Sequence, residues 1–239
     1  MKVAIIGVGN LGLALIRNAA KNVEIVAVRR RKDLIPKTEN VTATSDIEDT
    51  KDCNVFIITL KPDVFRKNMK MIGEIVKGKP LISFAAGVRL EEMLKHIENP
   101  YRAMTNLAIE KRSLIACYPP EAAEHLRFLE ADFIYCEDER ELDAMTSFIG
   151  SSPALISKLI HGFIIAALHE GVSYQNATKA AVSAFEAASY LYSKYGLETI
   201  IERVATPGGT TTEGLLEIVD AERKFINSLI AASRKVGEL

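Results

Sequence analysis

The sequence predicts an α/β fold, a doubly wound parallel sheet in the N-terminal part followed by an all-helical C-terminal domain. Short apolar, β-branched runs alternate with helical periodicity through the first 150 residues. This alternation is typical of a parallel sheet with helices on both faces. After Gly150-Ser151-Ser152-Pro153 only helical periodicity remains. We therefore place a sheet domain at residues 1–150 and a helical domain at residues 151–239.

The composition is that of an ordinary soluble globular protein, with 48% hydrophobic and 26% charged residues. A net charge of −1 indicates neither a nucleic-acid partner nor a membrane surface. The three cysteines are widely spaced, so we expect reduced thiols in a cytoplasmic protein and no zinc site. The apolar run 154–168 is shorter than the roughly 20 residues that span a bilayer. It is interpreted as a helix in a core or a subunit interface.

The first predicted strand, Lys2 to Ile6, leads directly into a G-x-G-x-x-G motif. The first glycine allows a tight turn, the second lets the backbone approach a pyrophosphate, and the third lets the next helix pack close. The start of that helix offers free N–H groups to an anion. The motif predicts a dinucleotide site, although a glycine-rich turn without a ligand is the alternative. Its candidate cofactor-binding residues are Gly7, Val8, Gly9, Asn10, Leu11 and Gly12.

The second predicted strand, Val23 to Val28, is followed by four consecutive cations. A site that prefers NAD has an Asp or Glu near this point to hold the ribose 2′-hydroxyl, and here no acid occurs before Asp33. A 2′-phosphate instead needs a cation, ideally a guanidinium. The run predicts NADP(H), unless it is only a solvated surface loop. The candidate side chains are Arg29, Arg30 and Arg31.

Further strands are predicted at residues 41–43, 54–60, 81–84, 101–104, 113–118 and 133–136, and a helix is predicted at 121–129 between the last two. Ligands of parallel sheets lie at the carboxyl ends of the strands, so the segments that follow the fourth, fifth and sixth strands join the site. The acidic run 137–139 precedes a helix, and we interpret it as helix capping rather than a metal site. The additional candidate cofactor-binding residues are Thr59, Leu60, Lys61, Pro62, Ala86 and Asn106.

The second half predicts helices at 154–169, 174–194, 197–204 and 211–220, and a last helix from Arg223. Alanines recur along one face of the second of these helices, which permits close packing against another helix. About 90 residues are few for a helical domain with a core of its own. We therefore expect the helical domains of two chains to pack together in a dimer.

Together these motifs resemble the pyrroline-5-carboxylate reductase family of Rossmann-type reductases related to 6-phosphogluconate dehydrogenase. The most specific similarities are Gly150-Ser151-Ser152-Pro153-Ala154 and the hexad Thr206-Pro207-Gly208-Gly209-Thr210-Thr211, which is close to that family's Ser-Pro-Gly-Gly-Thr-Thr loop. The resemblance implies NADPH-dependent reduction of a cyclic imine to L-proline. It also implies a homodimer, or a larger oligomer of dimers, with the active site between the nucleotide domain of one chain and the helical domain of another.

The hexad suits a carboxylate substrate, because its glycines allow close approach and the next helix starts near Thr210. The resemblance places Thr211 near the imine nitrogen, as the catalytic residue, in a substrate loop of Thr206, Gly208, Gly209, Thr210 and Thr211. The alternative is a capping box, Thr210-x-x-Glu213, with no ligand.

Several positions depart from the family pattern, namely Leu107, Ala108, Ser152, Lys158 and Glu213. They keep two other hypotheses open. The first is a different enzyme on the same scaffold, either a reductase of another imine or keto acid or a deazaflavin-linked NADP reductase. The second is an NADP-binding paralogue that has lost catalysis. Lys158 and His161 share a helix face and could act as acid and base, or simply lie at a helix edge and an interface.

Overall fold

The structure is a computed structural model that describes residues 1–238 and divides into two compact units. The first unit comprises Met1–Ser151 together with the chain from Ala232 onward, and the second comprises Ser152–Ala231. The first unit contains the strands β1 (Lys2–Ile6), β2 (Glu24–Val28), β3 (Val41–Thr44), β4 (Val55–Ile58), β5 (Leu81–Ser83), β6 (Pro100–Met104), β7 (Ser113–Tyr118) and β8 (Ala131–Tyr135).

Both α-helices and tighter turns connect these strands. The α-helices of the first unit are α1 (Asn10–Ala19), α2 (Pro62–Val76), α3 (Leu90–Met93) and α4 (Glu139–Met145), and a π-helix follows at Thr146–Ser151. Short 3₁₀ helices occupy Lys32–Leu34, Ile47–Thr50, Leu107–Glu110 and Pro120–Leu126. The second unit is formed by α5 (Ser152–His169), α6 (Tyr174–Tyr195), α7 (Leu197–Val204) and most of α8 (Thr210–Val236).

The eight strands form one sheet in the order β3-β2-β1-β4-β5-β6-β7-β8. The predicted α/β fold with a helical C-terminal region is confirmed. The parallel prediction holds for the first six strands and is wrong for β7, which runs antiparallel to β6. Only residues 105–112 join these two strands, and a parallel partner needs a crossover of about a dozen residues or more.

Alternating side chains of the buried strands divide the core between the two faces of the sheet. Val3 and Ile5 contribute to one apolar cluster, whereas Ala4 and Ile6 contribute to the other. The first cluster includes residues of α1, and the second includes residues of α2 such as Phe65. Burial on both faces explains why these strands are continuously apolar in sequence.

Two helical predictions need correction. The segment expected to form a helix at 121–129 is a 3₁₀ helix at Pro120–Leu126, and the two helices expected at 211–220 and from Arg223 are one helix, α8. No glycine or proline lies between Asp220 and Arg223, so nothing in the local sequence interrupts the helix there.

Candidate functional site

A cleft of about 940 Å³ lies at the carboxyl ends of β1, β2 and β4. It is lined by the glycine turn after β1, the arginines after β2, the segment after β3 and the start of α2. Because these strands are parallel neighbours, their C-terminal ends meet at one edge of the sheet. The predicted site residues that line the cleft are Gly7, Val8, Gly9, Arg29, Arg30, Arg31, Thr59, Leu60 and Lys61.

The glycine turn is shaped by close backbone contacts. Gly7 has φ 94°, and a Cβ at this position would lie 2.6 Å from Leu60 Cδ2 and 2.8 Å from the Leu60 nitrogen. A Cβ at Gly12 would lie 2.9 Å from Thr59 Oγ1. By contrast, the nearest atom to a Cβ at Gly9 is the Gly7 carbonyl oxygen at 3.9 Å. Contacts within the protein therefore account for glycine at positions 7 and 12. At Gly9 the space beside the backbone is open.

The N-terminus of α1 is suited to an anion. Gly9 is its N-cap, no side chain caps it, and its first turn contains no acidic residue. The first N–H groups of a helix have no partner within the helix and lie at its positive end. An anion at this position would supply acceptors for them.

Thr59 holds the glycine turn from the end of β4. Its hydroxyl donates to the carbonyl oxygen of Gly7 at 3.1 Å, and its backbone N–H donates to the Ile6 carbonyl at 2.9 Å. Lys61 then caps α2, whose first residue is Pro62, the position that a proline ring suits best. Thr59 and Pro62 therefore shape the cleft, and the exposed ammonium of Lys61 adds positive charge to it.

The three arginines after β2 supply most of the positive charge of the cleft. Arg29 is half-buried and its N–H donates to the Thr44 carbonyl at 2.9 Å, whereas Arg30 and Arg31 are exposed. Within residues 1–238, none of the three guanidinium groups takes part in an ion pair. They are therefore available for a charged ligand.

Some predicted cofactor residues lie outside the lining of this cleft. Asn10, Leu11 and Gly12 belong to α1, and Ala86 packs in a separate apolar cluster with Met104. The remaining residues outside the lining are Pro62 and Asn106.

Asn106 is bonded within the first unit through both ends of its amide. Its Oδ1 accepts the Ala108 N–H at 2.9 Å, and its Nδ2 donates to the Ile149 carbonyl at 3.1 Å. Asn106 therefore links the end of β6 to the π-helix.

Sequence reasoning missed part of the lining. Ser45 and Asp46 follow β3, and Val64, Asn68 and Met71 face the cleft from α2. The α2 positions recur at helical spacing, which was a usable signal once Pro62 marked the start of the helix. Ser45 and Asp46 become neighbours of the arginines only through the pairing of β3 with β2.

The acidic run before α4 forms a cap and ion pairs. Asp138 Oδ1 accepts the Glu141 N–H at 2.8 Å, and this bond, with the Arg140 guanidinium, lowers the pKa of Asp138. Glu139 binds the buried side chain of Arg102 at 2.6 Å, which also pairs with Asp143 at 2.6 Å. In the described residues no group of His, Cys, Asp and Glu is arranged to hold a metal ion.

The threonine-rich hexad of the second unit forms a compact turn before α8. Gly208 has φ 70°, and the Gly209 N–H donates to the Thr206 carbonyl at 2.9 Å. A Cβ at Gly209 would lie 2.4 Å from Thr206 Oγ1, so this turn requires glycine.

The helix that follows begins at Thr210 itself, so this residue lies inside α8 instead of capping it. The threonine that bonds back to the turn is Thr212, whose hydroxyl donates to the Thr206 carbonyl at 2.9 Å, and sequence reasoning missed it. Thr211 is half-buried, and Glu213 is exposed. The side chains of Lys158 and His161 on α5 are also exposed.

Comparisons with known proteins assign both halves of the chain. Residues 139–239 match the family model described as pyrroline-5-carboxylate reductase dimerisation, and residues 2–87 match the model described as NADP oxidoreductase, coenzyme F420-dependent. Curated pyrroline-5-carboxylate reductases match along most of the chain. That of Aquifex aeolicus is 26% identical over 90% of this chain and 88% of its own, and that of Methanosarcina acetivorans is 28% identical over 100% and 97%. This chain belongs to the pyrroline-5-carboxylate reductase family.

Solved structures of this family share the whole fold. The pyrroline carboxylate reductase of Plasmodium falciparum, solved with NADP bound, has a TM-score of 0.87 and 18% identity, covering 100% of this chain and 97% of its own. The Streptococcus pyogenes 1-pyrroline-5-carboxylate reductase has a TM-score of 0.87 and 23% identity, covering 100% and 99%. At these identities the likeness establishes the fold.

The match to the dimerisation model is relevant to the most apolar helix of the chain. Residues Glu139–His169 form a continuous helical run of 31 residues, which is long and apolar enough to cross a membrane by length and composition. The run is thus longer than the sequence analysis expected. The dimerisation model of the pyrroline-5-carboxylate reductases covers this run entirely, and a subunit interface would also account for its exposed apolar side chains.

Proposed function

We propose that this protein reduces 1-pyrroline-5-carboxylate to L-proline with NADPH, the last step of proline biosynthesis. The observation that carries the proposal is the cleft of the first unit, where an uncapped helix N-terminus and three unpaired arginines lie together in a chain of the pyrroline-5-carboxylate reductase family. A cytoplasmic enzyme with a small imine substrate, and with no nucleic-acid or membrane partner, fits the composition.

The two ends of the cleft suit the two charged parts of NADP(H). The backbone around Gly9 and the start of α1 would hold the pyrophosphate, because Gly9 leaves space for it and no side chain caps the helix. Arg29, Arg30 and Arg31 would hold the 2′-phosphate, since a guanidinium forms paired, charge-assisted hydrogen bonds with phosphate oxygens.

The turn before α8 is proposed as the substrate loop. The first N–H groups of α8 would hold the substrate carboxylate, and the Thr211 hydroxyl would donate a hydrogen bond to the imine nitrogen. When bound, NADPH supplies the hydride that reduces the imine carbon, and the nitrogen would take up a solvent proton relayed by the Thr211 hydroxyl. Thr206, Gly208 and Gly209 would fix the shape of the turn, because the Thr206 carbonyl accepts bonds from both Gly209 and Thr212.

The working unit is proposed to be a homodimer, or a larger oligomer of dimers, in which each active site combines the nucleotide cleft of one chain with the threonine loop of another. The match of residues 139–239 to the dimerisation model supports association of this chain with itself. The large apolar side chains exposed on the second unit support it independently.

The direct test mixes the purified protein with NADPH and 1-pyrroline-5-carboxylate and follows the absorbance of the reduced coenzyme. Turnover with formation of proline is the expected result. Turnover only with other imines or keto acids, or with a reduced deazaflavin as the partner of NADP, would show that the proposed substrate is wrong. Tight NADPH binding without any turnover would identify a silent paralogue.

The residue roles are tested with Thr211→Ala, using Thr178→Ala on α6 as the matched control. Loss of the proton-donating hydroxyl should lower kcat by about a hundredfold while the dissociation constant for NADPH stays unchanged. The control should leave both quantities unchanged. Full turnover by Thr211→Ala would remove this residue from the active site.

The arginine assignment is tested by changing Arg29 and Arg30 to Ala together. The double variant should weaken NADPH binding more than NADH binding, because only NADPH carries the 2′-phosphate. Equal losses for the two coenzymes, measured by titration calorimetry, would show that the arginines do not bind this phosphate.

A further inference from the structure

We infer that Asp46 sets how far this protein discriminates between NADPH and NADH, because its carboxylate opposes the 2′-phosphate and can accept a hydrogen bond from a free 2′-hydroxyl. The inference rests on the proposed coenzyme site and goes beyond it, since it assigns a second, opposing determinant to the same cleft. It also implies that the wild-type protein binds both coenzymes.

The pairing of β2 and β3 brings Asp46 to the arginines. Val28 and Thr44 are register partners at the ends of these parallel strands, and the Arg29 N–H donates to the Thr44 carbonyl at 2.9 Å. The two chain segments that leave the strands therefore start side by side. Both segments line the cleft, one with Arg29 to Arg31 and the other with Ser45 and Asp46.

The carboxylate of Asp46 is fixed at one end and open at the other. Its Oδ1 accepts the Glu48 N–H at 2.9 Å and caps the 3₁₀ helix Ile47–Thr50. Its backbone N–H donates at 3.0 Å to Thr44 Oγ1, which belongs to a buried residue. Among the described residues, Asp46 Oδ2 has no hydrogen-bond or ion-pair partner, so this oxygen is free to accept a donor from a ligand.

Asp46 is opposite in charge to the other ionisable residues that line the cleft. Among the described residues that line the cleft, four are basic (Arg29, Arg30, Arg31 and Lys61) and Asp46 is the one acid. A carboxylate near a phosphate repels it. The same group near an unmodified ribose can accept a hydrogen bond from the 2′-hydroxyl, which is how a site that prefers NAD uses its acid. The cleft therefore carries determinants for both coenzymes.

The test is Asp46→Asn, with Glu48→Gln as the matched control. Asparagine keeps an Oδ1 acceptor for the Glu48 N–H, so the 3₁₀ helix remains capped while the charge is removed. Glu48→Gln removes one negative charge two residues away, from a side chain outside the lining of the cleft. Binding of NADPH and of NADH to each full-length protein is measured by titration calorimetry at fixed ionic strength.

We expect Asp46→Asn to bind NADPH about three- to tenfold more tightly, since the carboxylate is exposed and solvent screens its repulsion. NADH binding should weaken by a similar factor, because an amide is a poorer acceptor for the 2′-hydroxyl. The control should change neither coenzyme. Equal changes for both coenzymes in Asp46→Asn, or the same NADPH shift in Glu48→Gln, would overturn the assignment.

The two proposals fail in distinguishable ways. If the coenzyme preferences shift as expected but no imine is reduced, the proposed substrate is wrong and the role of Asp46 stands. If the protein turns over 1-pyrroline-5-carboxylate but Asp46→Asn leaves the NADPH-to-NADH ratio unchanged, the proposed function stands and the role of Asp46 is wrong. If the wild-type protein binds neither coenzyme, both proposals are wrong.

Discussion

The two compact units of this protein differ in how they treat their apolar side chains. The first unit buries large residues on both faces of its sheet, including Phe56 and Phe65 at 0% exposure. In the second unit, the buried members of the described apolar cluster are Ile164, Ala177 and Ala181. Along α8, by contrast, Leu216 is 70% and Val219 is 63% exposed. Sheet and helices thus complete a core within the first unit, whereas the second unit presents apolar area that a partner can cover.

The strongest test of this difference addresses the buried ion pairs of the first unit. Arg102→Ala should lower the free energy of unfolding by about 3–5 kcal/mol, because it leaves Glu139 and Asp143 without their buried cation. The side chain of Arg102 is 3% exposed, whereas that of Arg112, which pairs with Asp132, is 70% exposed.

Urea unfolding measures both variants. Arg112→Ala is the matched control and should leave the free energy of unfolding nearly unchanged, as is usual for an exposed pair. If the two variants lose similar amounts of unfolding free energy, the buried ion pairs of Arg102 stabilise the first unit no more than an exposed ion pair does.

A second test addresses the apolar face of α8. Val219→Lys should weaken association of the chain with itself by about 2 kcal/mol, roughly the contribution of burying one valine side chain. Light scattering over a dilution series gives the oligomeric state. The matched control is Leu94→Lys in the first unit, where Leu94 is 60% exposed. If both variants keep the wild-type oligomer, the exposed face of α8 is not the interface.

The smallest expected effect is the reactivity of the thiols, all of which lie in the first unit. Cys53, Cys117 and Cys136 are buried and free, and burial raises the pKa of Cys117 to about 12 and that of Cys136 to about 11. Since the thiolate is the reactive form, native protein at pH 8 should react very slowly with Ellman's reagent. Denatured protein should release all three thiols, and fast reaction in the native state would show that the first unit opens readily.

The sequence predicts the nucleotide cleft better than the rest of the protein, because its signals are local. The strand β1, the glycine turn and the start of α1 are contiguous, and Pro62 marks the beginning of α2 by its fixed backbone angle. The antiparallel direction of β7 follows from the short connection between β6 and β7. Side-chain periodicity predicts a strand but does not predict its direction. The role proposed for Asp46 depends on strand pairing, so it could not be read from neighbours in the chain.

The threonine loop shows a different limit of sequence reasoning. Its glycines and threonines predict a turn followed by a helix, and the structure has both. Which threonine bonds back to the turn depends on where the helix begins, and Thr211 and Thr212 are adjacent in the sequence. Periodicity locates helix ends to within a few residues, so it could not make this distinction.

The π-helix between α4 and α5 has a consequence for how sequences of this kind can change in length. A π turn accommodates one residue more than an α-helical turn, and here the Asn106 amide binds its Ile149 carbonyl. Removing a single residue from Thr146–Ser151 would convert the π turn into an α-helical turn and leave the side chains of α5 on their original faces. The same deletion within α5 would rotate all the side chains that follow it by about 100° around the helix axis. The π-helix is therefore a point at which this long helical run can lose a residue without redirecting its apolar face.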